Sequence, residues 1–159
     1  MTPAIRGSMI AAATAMLALS VGVQSGLSGV WEALRVNGSA LPMTDRVVGR
    51  DSFTHAVRLH GMTIRLRTNG RFQAALKYRR ALLSKGERID AVPLQTDTWI
   101  GTYTLRGDSL RFVPERRAEQ QVQPFSGVRS GRRITVSFDY NIVQRKRYTL
   151  ELARNDSIL

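Results

Sequence analysis

From residue 28 onward the chain alternates apolar and polar residues in short runs that are punctuated by Gly, Asn and Asp. Strand side chains point to two faces in turn, whereas helical faces recur every ~3.6 residues, so this rhythm confines the chain to half-buried antiparallel strands. In MTIRLRTNGRFQAALKY, Met62, Ile64 and Leu66 share one face and Arg65 and Arg67 the other, after which Phe72, Ala74, Leu76 and Tyr78 share a face again.

Parity then sets the turns. A two-residue Asn69-Gly70 turn would set Leu66 beside Gln73 and mix core with solvent, because a one-residue slip exchanges the faces of a strand. A three-residue loop, Thr68-Asn69-Gly70, pairs Leu66 with Phe72, Ile64 with Ala74 and Met62 with Leu76, with Gly70 left-handed in a bulge. The same test on WIGTYTLRGDSLRFVP favours a two-residue Gly107-Asp108 turn. It pairs Leu105 with Leu110 and Tyr103 with Phe112, and Gly in first position suits a type II′ turn.

Further on, Ile134, Val136, Phe138 and Tyr140 align on one face, as do Tyr148, Leu150 and Leu152. A loop around Ser130-Gly131 returns the chain from Val128 to Ile134. The stretch AALKYRRALLSKGER has the composition for a helical turn or two before Gly86, and Glu115 to Pro124 is polar and reads as a surface loop. Eight or nine strands in sequence order, with His55–Leu59 and Met62–Leu66 counted separately, predict an all-β fold, a small antiparallel up-and-down barrel of about eight strands whose closure removes exposed edges.

The first 25 residues follow other rules. Arg6 precedes an apolar run from Met9 to Val23, and no charge intervenes before Glu32. Fifteen residues fall short of the ~20 that span a bilayer, and small residues end the run, which is the make-up of a secretory signal helix cleaved near Ser25, with Ala18 and Ser20 offering a second choice. The expected organisation is a signal peptide over residues 1–25 and one domain over 26–159, exported to the periplasm or secreted, with no transmembrane span after cleavage. With no cysteine, disulfides, thiolate metal sites, cysteine nucleophiles and cysteine-linked lipid are excluded.

With the strands and turns placed, a resemblance emerges. SGVWEALRVNGSALP, residues 28 to 42, resembles the opening strand of bacterial lipocalin-like domains. There a Gly-x-Trp pair, here Gly29 and Trp31, precedes a Val-Asn-Gly turn, here Val36, Asn37 and Gly38, and a Leu-Pro exit, here Leu41 and Pro42. WIGTYTLRGDSLRF is similar to a Gly-Thr-Tyr strand with a Gly-Asp turn in the same proteins, and GVRSGRRITVSF to their closing strands. The resemblance implies a calycin-type barrel and carries over no catalytic residues.

The chemistry-bearing residues are sparse. His55 and His60 are five apart, which turns them to different faces, and no carboxylate cluster accompanies them; both read as surface or strand-end residues, and no metal site is expected. Nucleophile elbows, paired carboxylates and phosphate loops are missing from the sequence, so no cofactor and no enzymatic activity are expected. Trp31, Phe72, Trp99, Tyr103, Phe112, Phe138, Tyr140 and Tyr148 fall on inward faces, where they either wall a cavity for a small apolar or amphipathic ligand or fill a core.

Net charge supplies the other reading. Lys and Arg number 24 against 12 Asp and Glu, a formal charge of +12, and only Lys77, Lys85 and Lys146 are lysines. Parity sends many of the arginines outward, and Arg65, Arg67, Arg79, Arg132, Arg133, Arg145 and Arg147 form a candidate surface for anionic lipids or glycans. A GC-rich coding bias would give the same skew. No nucleic-acid motif accompanies the charge, so no specific nucleic-acid partner is expected.

Overall fold

The computed structural model describes residues 26–115 and 122–157, and the expected signal segment lies outside them. The strands are β1 (Gly29–Val36), β2 (Ser39–Ala40), β3 (Met43–Val48), β4 (Thr54–Leu66), β5 (Arg71–Leu82), β6 (Gln95–Arg106), β7 (Ser109–Pro114), β8 (Phe125–Ser130), β9 (Arg133–Asn141) and β10 (Arg145–Asn155). From β4 to β10 each strand pairs with the next. β10 then pairs with β1 and β1 with β4, so eight antiparallel strands close a barrel.

The hairpins follow the parity of their apolar residues. Met62 faces Leu76, Ile64 faces Ala74 and Leu66 faces Phe72 across the three-residue loop, where Gly70 sits at φ 74°. Leu105 faces Leu110 and Tyr103 faces Phe112, and Gly107 takes φ 59°, in the region an L side chain enters at a cost.

Several elements depart from the sequence reading. The strands expected at His55–Leu59 and Met62–Leu66 are one strand, because a bulge at His60 inserts a residue and keeps Leu59 and Met62 on the same face. The residues read as helical stay in β5 through Leu82, and only Leu83–Lys85 turn, as a 3-10 segment. Pairing with β4 holds Ala81 fully buried against Ala56, and this tertiary pairing overrides the helix propensity. Val128 pairs with Thr135 and faces solvent; Phe125 and Gly127 are the inward residues of β8. Of the polar stretch Glu115 to Pro124, residues 116–121 lie outside the description, while Val122 is buried in the core.

β1 and β3 share one edge of β4. Gly29 to Glu32 pair with Leu66 to Thr63, and Met43 to Val48 pair with Leu59 to Thr54. Between them the chain leaves the edge, turns at Asn37-Gly38 and returns past the cis Leu41–Pro42 bond. Asn37, at φ 49°, anchors this excursion to β10: its N–H donates to the Thr149 carbonyl at 2.7 Å and its Oδ1 accepts from the Thr149 N–H at 2.9 Å. Asn tolerates this left-handed geometry better than most residues, which explains its place in the turn.

Candidate functional site

The inward aromatic residues meet one another. Phe112 stacks on Phe125 with centroids 4.6 Å apart, and Phe72 meets Phe112 edge-on at 5.3 Å. Tyr103 lies 6.3 Å from Phe112, and its hydroxyl donates to the Arg67 carbonyl. Phe138 links Phe125 to Trp99, Tyr140 and Tyr148, and Trp99 stacks on Tyr140 at 5.7 Å. Such contacts give ~0.5–1.5 kcal/mol per pair beyond burial. Trp31 stands apart and donates its indole N–H to the Leu27 carbonyl at one end of the barrel. Phe125 was missed because it follows the polar stretch and has only Gly127 as its inward successor; parity with Gly127 was the one signal available.

The other end of the barrel is polar. Asp97 on β6 accepts at Oδ2 from the hydroxyls of Tyr78 on β5, at 3.0 Å, and of Tyr140 on β9. Burial first, and Asp97 second, push Tyr78 up to about 12; the same two causes raise Tyr140. Lys146 on β10 pairs with Asp45 on β3. Arg80 donates to the carbonyl of Ile142, whose buried side chain brings the β9–β10 loop onto the core. The Trp99 indole N–H is buried with no acceptor among the described residues.

The histidines occupy different settings. His55, expected near the surface, is 8% exposed, because β3 covers that end of β4; its Nε2 lies 3.4 Å from a carboxylate oxygen of the half-exposed Asp51. Asp51 also accepts from the Phe53 N–H, which makes it the clasp of the β3–β4 turn. His60 sits at the bulge, and burial, followed by Arg79 and Arg58, lowers its pKa.

The arginines named from the sequence are spread around the barrel. Arg65 and Arg67 are exposed at one end of β4. Arg132 pairs with Asp156, Arg133 lies 3.8 Å from Glu151, and Arg147 grips Asp139 through Nε at 2.9 Å and a second nitrogen at 3.2 Å. Arg145 lines a recess with Arg50 and Asn141. Arg79 is half-buried and donates to the Asp90 carbonyl at 2.7 Å. Parity overlooked this last contact because the Arg88–Leu94 loop folds back to offer its backbone.

A groove of about 570 Å³ runs over the outer faces of β6 to β10, and its lining includes Arg106, Arg111, Thr104, Ser126, Ser137 and Asp139. Sequence reasoning passed over Arg106 and Arg111, although alternation with Leu105 and Leu110 already turned both outward. Neither has a carboxylate partner among the described residues, and the same holds for Arg65 and Arg67.

No helix among the described residues is long and apolar enough to cross a membrane. Comparison with family models, with curated proteins and with solved structures finds no match to this chain.

Proposed function

We propose that the chain is an exported, non-enzymatic, lipocalin-like barrel that works from its outside, docking a basic exterior on anionic components of the cell envelope. The observation that carries this reading is the division of the barrel wall. Inward rings pack on one another, while Arg65, Arg67, Arg106 and Arg111 face solvent with no described carboxylate to neutralise them. A net charge of +12 concentrates counter-anions at such a surface, within a Debye length of ~8 Å at physiological salt. The apolar run Met9 to Val23 supports export, and the Gly29-x-Trp31 opening supports the lipocalin-like assignment.

The test is retention of the purified domain on immobilised polygalacturonate and on vesicles containing anionic lipid, at low and at high salt. Retention that salt abolishes is expected. Passage through both at low salt would sink the reading.

A second reading has one observation behind it. The buried Trp99 N–H lacks an acceptor beside the Tyr78, Asp97 and Tyr140 group, an arrangement suited to the polar end of a small amphipathic ligand entering the barrel mouth. Quenching of Trp fluorescence by a fatty-acid analogue, saturable and insensitive to salt, would favour it.

A further inference from the structure

Four strands of the groove wall present their outward residues in one line. Thr104 on β6 faces Arg111 on β7, Arg111 faces Ser126 on β8, and Ser126 faces Ser137 on β9. Three inter-strand steps of about 4.8 Å make this row roughly 14 Å long, well beyond a single phosphate. One step further, the Ser137 hydroxyl hydrogen-bonds that of Thr149 at 2.9 Å.

Charge is arranged unevenly along it. Arg106 and Arg111 stand at the β6–β7 end without described carboxylate partners. At the β9–β10 end Asp139 accepts from Nε and one terminal nitrogen of Arg147, which holds its carboxyl below the usual range and offsets its charge toward an incoming anion.

We propose that this groove binds an acidic oligosaccharide, with Arg106 and Arg111 engaging its carboxylate or sulfate groups and Thr104, Ser126 and Ser137 engaging its hydroxyls. The inference rests on the reading of the exterior as the working surface and narrows it to one wall and one ligand class. A hydroxyl both donates and accepts, so a line of three matches the polyol edge of successive sugars. A guanidinium forks onto a carboxylate or sulfate with two parallel bonds. A lipid headgroup is compact and would leave most of the row empty.

Isothermal titration with an oligogalacturonate of defined length, and with a neutral glucan of equal length, tests the assignment. The wild type is expected to bind the oligogalacturonate saturably and to ignore the glucan. The double substitution Arg106→Gln with Arg111→Gln should weaken binding at least about tenfold. Arg46→Gln with Arg88→Gln removes the same charge at exposed positions outside the groove lining, on β3 and before β6, and should change binding less than about threefold. Ser126→Asp, at an exposed position in the middle of the row, should repel the ligand and leave thermal unfolding unchanged.

Equal losses in the two double variants would overturn the groove and leave the basic exterior standing. Binding of anionic vesicles without binding of the oligogalacturonate would overturn it in favour of a lipid source. Failure to bind either would remove both the groove and the reading beneath it.

Discussion

The hydroxyls of Tyr78 and Tyr140, from strands on two sides of β6, converge on one oxygen of Asp97. One carboxylate thereby ties β5, β6 and β9 together across the end of the barrel. Asp97→Ala leaves two half-buried hydroxyls without their acceptor, and unpartnered buried polar groups cost ~1–3 kcal/mol. A fall in the urea midpoint of that order is expected, and Asp97→Asn, which keeps an acceptor, should lose less. Equal losses in the two variants would show that the carbonyl oxygen does not replace the carboxylate.

The tyrosines should titrate late. Burial raises all four of them, Tyr78 and Tyr148 to about 12, with Asp97 and Asp45 respectively adding to the effect. A phenol whose folded pKa is raised holds its proton longer in the folded state, so the stability it contributes is complete below the ordinary value of about 10 and is lost as pH climbs toward 12. Absorbance at the phenolate band should stay flat through pH 10 and then rise together with unfolding. A normal transition near 10 for any one tyrosine would contradict its burial.

Gly101 has no room for a side chain. A Cβ there would meet the Val113 carbonyl, the Phe72 ring at 2.7 Å and the Pro114 Cα at 2.8 Å, and two of these three are backbone atoms that cannot rotate away. Gly101→Ala is expected to destabilise the barrel by ~1–3 kcal/mol, the range of overpacked cores, read as a lower thermal midpoint. An unchanged midpoint would mean that β6 and β7 can part at no cost.

Asn37 separates two causes of stability. Asn37→Gly relaxes the left-handed backbone but removes the bond from the Thr149 N–H, whereas Asn37→Ala removes the bond and keeps the strain. Both should be destabilised by about 0.5–2 kcal/mol, with Ala the worse. If Ala equals wild type in chemical denaturation, the Asn37 to Thr149 link contributes nothing.

The sequence was legible where a local rule had one solution. Parity left a single register for the loop ending at Gly70 and for the turn at Gly107, and both ladders follow it. It failed where pairing over distance decides the outcome. The β3 segment MTDRVV shows weak alternation and exists as a strand because β4 offers it an edge. Between Leu76 and Gly86 the composition also allows a helical turn or two until the ladder to β4 is known. At the candidate site, parity turned Arg106 and Arg111 outward but carried no sign that Ser126 and Ser137 stand beside them, since no tight turn fixes the register of β8 against β7.

The joint between β1 and β4 has a consequence for how the molecule is made. From β4 to β10, neighbouring strands in the sheet are also successive in sequence, whereas β1 must find β10, with Val30 opposite Asn155, more than a hundred residues away. Non-local pairing of this kind slows folding, because loop entropy is lost before contacts repay it. The meander β4 to β10 should assemble first as an open sheet with two unsatisfied borders, and the arrival of β1 converts it to a ring. The interval before that arrival is when intermolecular strand pairing competes, so the yield of soluble protein will depend on the speed of one eight-residue segment more than on the stability of the finished barrel.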